Sequence, residues 1–340
     1  MANIDFPASP TVGQKYTFAG VTYTFSAQGV WTAASSVTAP TIPQGRLTLQ
    51  SMVPVMPSTT TGVTAIYYTP YIGNRVPTYD GVNVAMRRFT ELTANTTDFT
   101  NQPAAMQPNQ VYDWFVWWDT STNTCRLTHS EAWMNPTLRV NNLIRLEGLL
   151  LNANAITNGP AAQRGTYVGT TMTNAAGTLD WIFGARAAPP IACWLGVWNM
   201  YNRAAVSTFV GDLTTTWSYA STVVREVNGN TTNKVHWVTG IAEDVVTATA
   251  HAGATGSSGL VYLCGVGYDV TTFASGTVGF VQTTGLWGST AGKLVTVPFG
   301  KHYVSQLEGL NIDSAGPAVI WGGLTMGNGW YTGLYFDGRF

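Results

Sequence analysis

The sequence predicts an all-β protein: a small N-terminal β meander followed by one or two antiparallel β-sandwich domains of jelly-roll-like character. Three observations predict it. Apolar and polar residues alternate in short runs, as in VTYTF at Val21–Phe25 and KVHWV at Lys234–Val238, which is the period of a strand with one face buried. Turn-forming residues interrupt these runs every ~8–12 residues, the rhythm of sandwiches and barrels. Long amphipathic helical patterns are missing, whereas Thr is abundant and Gly occurs 36 times; Thr suits a pleated, half-buried surface.

The elements follow in order. Lys15–Phe18 (KYTF), Val21–Phe25 and Val30–Thr32 are three short strands joined by turns at Gly20 and Ala27–Gly29. So few strands are marginal alone, so residues 1–34 are expected to dock on a partner. Ser35–Gln44, with Pro40 and Pro43, reads as an extended linker, placed at 35–45. Two β domains are expected beyond it, at 46–160 and 161–340. In the first, Leu47–Pro57 carries Pro54 and Pro57 and suits an edge strand. Asp80-Gly81 between apolar runs signals a hairpin, and Leu138–Val140 is a weak strand. Leu143–Leu151 (LIRLEGLLL) looks helical by composition, but Glu147-Gly148 at its centre argues for a tight hairpin. The second domain holds strands at Gly165–Thr171, Leu179–Phe183, Leu195–Tyr201 and Thr216–Tyr219. A turn at Asn228-Gly229 leads to Lys234–Val238, Val245–Ala250, Leu260–Val266, Val278–Gln282, Lys293–Phe299, Ala318–Trp321 and Gly333–Phe336.

Composition narrows the function. Only 10 % of residues are charged and the net charge is −1, against roughly 25 % charged in a typical soluble domain. With no basic stripe, nucleic-acid binding by phosphate neutralisation is not expected. No apolar stretch reaches the ~18 residues of a membrane span, and the N-terminus lacks the basic and apolar pattern of a signal peptide. Cys125, Cys193 and Cys264 are isolated and odd in number, which reads as buried free thiols rather than a zinc site or disulfide framework.

The chemistry-bearing residues form no catalytic or metal-binding pattern. Glu243-Asp244 is the one adjacent carboxylate pair, and strand neighbours point to opposite faces. Asp113 and Asp119 share a face but stand about 20 Å apart by strand rise, too far to act on one glycosidic bond. His129, His236, His251 and His302 show no metal-ligand spacing. No enzyme activity, cofactor or metal is expected. The aromatics are more informative: 13 Trp, 15 Tyr and 13 Phe. In VYDWFVWW (Val111–Trp118) both faces are aromatic, so the strand needs cover on both sides. That cover is either a second layer of the chain's own core or a subunit interface through Trp114, Phe115, Trp117 and Trp118. Near the C-terminal end, Trp330, Tyr331 and Tyr335 are candidate glycan-stacking residues.

The segment Phe6–Trp31 (FPASPTVGQKYTFAGVTYTFSAQGVW) resembles a short module near the N-termini of many phage tail and virion proteins. The shared pattern is Pro-x-x-Pro-x-x-Gly, then Tyr-x-Phe-x-Gly-x-x-Tyr-x-Phe, then Gly-x-Trp. The resemblance implies attachment to the particle through Tyr16, Phe18, Tyr23, Phe25 and Trp31. Stretches between about residues 60 and 250, such as Gly73–Phe89 and Arg164–Thr170, resemble uncharacterised phage virion proteins and carry no catalytic residues across.

The expected function is therefore a non-enzymatic virion protein, a tail-fibre or spike subunit anchored by its N-terminus. Homotrimers are the family expectation, with other tail or capsid proteins and possibly a host-surface glycan as partners. Such a chain would assemble in the reducing host cytoplasm, where free thiols persist, and be exposed on the particle. A capsid decoration or head-fibre protein shares every one of these features, and a carbohydrate-binding adhesin is the alternative of another class.

Overall fold

The computed structural model describes residues 4–18, 21–33, 42–256, 259–283, 288–311, 318–321 and 332–340. Among the described residues it is all-β, built of mainly antiparallel sheets with one short 3-10 turn at Val227–Gly229. The chain forms two compact units, Met1–Thr41 and Ile42–Phe340. Most of the expected 35–45 linker lies outside the described residues, and the first strand of the larger unit begins within it, at Gly45.

The small unit is the expected meander: Lys15–Phe18, Val21–Phe25 and Trp31–Ala33 pair antiparallel in that order. Tyr16 lies opposite Tyr23 and Phe25 opposite Trp31, so the alternation places these rings on one side. No described residue of this unit is fully buried.

The larger unit has a sheet in which Val111–Asp119 is an inner strand, paired with Thr124–His129 on one side and Thr166–Met172 on the other. The hairpin of Leu143–Leu146 and Leu149–Asn152 continues that sheet. Its turn residues Glu147 and Gly148 both have positive φ, 51° and 80°, the conformation a two-residue hairpin requires. A second, larger sheet contains Leu179–Ile182, Cys193–Leu195, Lys234–Thr239, Leu260–Tyr268, Val278–Thr283 and Gly300–Leu310. A third contains Ala205–Asp212, Val246–Thr255 and Gly333–Arg339. Two short pairings are parallel, Cys193–Leu195 with Lys234–Thr239 and Arg186–Ala187 with Ala205–Asp212.

The sheets cross the expected division at position 160. Thr166–Met172 pairs with Val111–Asp119, and Leu179–Ile182 pairs with Thr60–Val63. Hydrophobic residues from Leu47 to Phe340 form one buried cluster that includes Trp114, Tyr167, Trp198, Trp237 and Phe336. Each large apolar side chain so buried contributes roughly 1.5–3 kcal/mol. Residues 42–340 are thus a single packed unit rather than two domains.

Two local expectations are corrected. Leu138–Val140 is not a strand; it lies in a loop with an isolated bridge between Asn135 and Leu138. There Arg139 is drawn inward by a buried carboxylate. The Asp80-Gly81 turn does join a hairpin, Arg75–Tyr79 to Val84–Arg88, but through four residues. Asp80 Oδ1 accepts from the backbone N–H groups of Val82 and Asn83 at 2.9 and 2.8 Å, an Asx-type turn. No helix among the described residues is long and apolar enough to cross a membrane.

Candidate functional site

Three of the expected attachment residues, Tyr16, Tyr23 and Trp31, gather around one ring. Phe6 stacks on Trp31 at 5.1 Å between centroids, and meets Tyr16 and Tyr23 edge-on at 5.5 and 5.1 Å. Trp31 also touches Tyr16 and Phe25. Phe18, opposite Val21, ends the first strand. Phe6 was not among the residues singled out in the sequence, although it opens the segment that carries the resemblance. All these rings are only half-buried, so the cluster keeps apolar surface in water.

The four aromatics expected at a subunit interface separate into two pairs. Trp114 and Phe115 are buried in the chain's own core, 0 % and 3 % exposed. Trp114 Nε1 donates to Thr171 Oγ1 at 2.8 Å, and the Phe115 ring packs on Tyr167. They have no surface left for a neighbour, and the second layer over this strand is intramolecular. Trp117 and Trp118 lie past the core, where the strand emerges, and are half-buried.

Trp117 and Trp118 line a cleft of about 300 Å³ with Tyr79, Asp80, Arg87, Asp119 and Arg164. Three stretches of chain build it: the 75–88 hairpin, the end of the central strand and the 161–164 loop. The Arg87 guanidinium lies over the Trp118 ring at 4.4 Å, and the Arg164 guanidinium over Tyr79 at 5.7 Å. Arg164 also packs against Gly81, which has φ +99° and stands where a Cβ would overlap the guanidinium. Among the described residues neither arginine has a carboxylate within ion-pairing distance, and Arg87 Nε and Arg164 Nη1 are buried without an acceptor.

Asp119, by contrast, is fully engaged. It accepts from Ser121 Oγ (2.6 Å), the Ser121 N–H (2.9 Å), Thr122 Oγ1 (2.9 Å) and Arg126 Nε (3.1 Å). These donors, led by Ser121, hold its carboxyl far below the usual range. The backbone N–H groups of Asn83 and Val82 likewise lower Asp80. Trp117 Nε1 is fixed to Thr128 Oγ1 at 2.8 Å.

Trp118 lines more than one cleft. That residue also walls a cleft of about 430 Å³ lined by Asn74, Asn123, Thr124, Leu92 and Cys125. Leu92 and Cys125 in turn wall a third, of about 180 Å³, beside Asn101 and Gln102. The three clefts share wall residues, Trp118 between the first two and Leu92 and Cys125 between the second and third.

The remaining carboxylates serve the fold. Asp113 is held by Arg139 Nε and Nη2 at 2.6 and 3.0 Å, by Thr170 Oγ1 at 2.6 Å and by Trp133 Nε1 at 3.2 Å. The Arg139 guanidinium sits over the Trp133 and Phe299 rings. Glu243 and Asp244 do not lie on a strand; both pair with Arg203, at 2.8 and 2.7 Å. Glu308, fully buried, accepts from Trp217 Nε1, Arg225 and the Asn228 N–H at 2.7–3.0 Å. Burial is the largest influence on it and pushes its carboxyl up. Among the described residues no group of three or more His, Cys, Asp or Glu is placed to hold a metal ion.

Of the candidate glycan contacts, Trp330 and Tyr331 lie outside the described residues. Tyr335 is 41 % exposed, but its ring packs on Phe209 at 4.4 Å and meets His251 edge-on. Arg87, Arg164 and Tyr79 were missed in the sequence. The Asp80-Gly81 signal pointed at the hairpin, but nothing in the sequence brings residue 164 to residue 81.

No family profile matches the chain, and no curated protein matches it. Among solved structures, it is similar to a chain from the structure of infectious bursal disease virus Gx strain. That likeness has 10 % sequence identity and a TM-score of 0.23, over 96 % of this chain and 70 % of that one. It is too loose to carry an argument about fold or function.

Proposed function

We propose that this chain is a non-enzymatic structural protein of a bacteriophage virion, a tail-fibre or spike subunit anchored through its N-terminal meander and exposing its β body. The observation that carries the reading is the state of the N-terminal unit. Five rings, Tyr16, Phe18, Tyr23, Phe25 and Trp31, lie on three strands, and Phe6 packs against three of them, with no fully buried residue among the six. Three strands of this size gain too little from their own burial to be independently stable, so a partner surface is needed to complete them. The pattern these residues share with phage attachment modules supplies the kind of partner, another virion protein.

Self-association of the body is supported by apolar side chains that the chain leaves in water. Phe280 is 68 % exposed on the outermost strand of the larger sheet, and Val295 is 56 % exposed. An open edge carrying such residues invites pairing or cover. The engaged states of Asp113, Asp119, Glu243, Asp244 and Glu308 favour a structural role for these carboxylates over a hydrolytic one.

The test is the mass of the full chain in solution by light scattering, together with its presence in purified particles. A mass three times that of one chain, and a band in the particles, are expected. A stable monomer absent from particles contradicts the proposal. Particle imaging separates the tail location from a capsid decoration or head fibre.

A further inference from the structure

We propose that the cleft between Tyr79, Trp117 and Trp118 binds an acidic saccharide, with a carboxylate of the sugar held by Arg87 and Arg164. The inference goes beyond the structural role above and is tested independently of it, on the purified chain.

The argument begins with the arginines. The protein has 16 Lys and Arg residues in all, and most of the buried or half-buried ones described above are matched to carboxylates or carbonyls. Arg87 and Arg164 are not. Each carries a buried N–H without an acceptor, a state that costs roughly 1–3 kcal/mol per group. Both are stacked on aromatic rings. Stacking fixes the plane of a guanidinium; since Arg87 Nε and Arg164 Nη1 are buried, a carboxylate would be met by the remaining N–H groups of each arginine. Gly81 leaves the space in which the Arg164 guanidinium is seated.

The carboxylates in the cleft neutralise this pair only in part: Asp80 feels the charge of both arginines without an ion-pair contact to either. Asp119 is already satisfied by four donors, Arg126 among them, and Asp80 is turned into its own loop. A small inorganic anion would use only the arginines. The rest of the cleft offers an indole wall at Trp117 and, beyond Trp118, compartments lined by Asn74, Asn123 and Asn101. Aromatic walls cover the C–H face of a sugar ring, and amides pair with hydroxyls.

The experiment uses the full chain and titration calorimetry with oligogalacturonate and oligoalginate hexamers. A neutral maltohexaose, poly-glutamate and inorganic phosphate serve as comparisons. Saturable binding of an acidic hexamer is expected, at least tenfold tighter than the neutral one and weakened by salt. Arg87→Lys and Arg164→Lys keep the charge but lose the planar fork, and each should weaken binding at least tenfold. Trp117→Ala should do the same. Lys293→Ala, on an exposed site of another sheet, should change nothing. A circular-dichroism melt of each variant identifies any that fail to fold, and the two Lys variants keep the test available if Trp117→Ala does. The proposal is overturned if neither acidic hexamer binds better than the neutral one. It is also overturned if poly-glutamate or phosphate binds as tightly as the acidic hexamers, or if the Lys variants bind like the parent.

Discussion

At the scale of single residues, the buried polar groups set how stability depends on conditions. Glu308 is wrapped by Trp217, Arg225, Tyr262 and the Asn228 N–H. Glu308→Ala removes the acceptor of the buried Trp217 Nε1 and releases the partly exposed Arg225; a loss of about 1–3 kcal/mol is expected in a urea titration. His129 gives a pH effect. Burial pushes its imidazole down to about 4, so in the fold it is neutral where an unfolded histidine, at about 6.5, is already taking up a proton. The unfolded chain therefore binds more protons between pH 6.5 and 4, and stability falls as the pH falls through that window, by at most about 3 kcal/mol from this group. His129→Gln should flatten that part of the stability–pH curve relative to the parent; equal slopes would discard the assignment. The three cysteines are buried and free, and burial raises them to about 11, 11 and 12 for Cys125, Cys193 and Cys264. A thiol reagent at pH 8 should leave all three untouched until denaturant is added. Their burial was legible in the sequence because their odd number and wide spacing offer no disulfide or metal framework. The roles of Arg139 and Arg164 were not, since each acts on residues far away along the chain.

At the scale of elements, alternation and turn chemistry carried most of the strand assignments. Glu147-Gly148 outweighed the helical composition of its neighbours because only a hairpin turn uses two successive positive-φ residues; Gly148→Ala should cost about 1 kcal/mol through backbone strain. The aromatic strand Val111–Asp119 was legible as needing cover on both faces, but not what covers it. Periodicity says which residues share a face and nothing about which strand arrives from 50 residues later. Its bulge at Trp114/Phe115 against Thr166–Met172 is likewise a property of the pairing. A close approach of two elements makes Gly240 a sharper test. A Cβ there would overlap the Tyr167 hydroxyl, so Gly240→Ala should lower stability by roughly 1–3 kcal/mol through overpacking. In the small unit, Trp31→Ala removes the ring that touches Phe6, Tyr16 and Phe25. Limited proteolysis should then cut within residues 1–33 faster while the body's melting transition stays in place; a lowered body transition would show that the two units do not unfold separately.

At the scale of the whole molecule, the fold class and the N-terminal module were legible, whereas the continuity of residues 42–340 was not. Chain length alone suggested two domains, but the pairing of Thr60–Val63 with Leu179–Ile182 closes the body into one core, and such long-range pairing leaves no local trace. The account rests on the N-terminal unit being completed by another virion protein. Lys15 is the single lysine in residues 1–41 and is exposed on the first strand. The most direct measurement is amine cross-linking of purified particles followed by mass spectrometry. Lys15 should be joined to a different virion protein, while Lys293 on the exposed body should not. Particles that lack the chain, or a Lys15 joined only to copies of its own chain, would contradict the account.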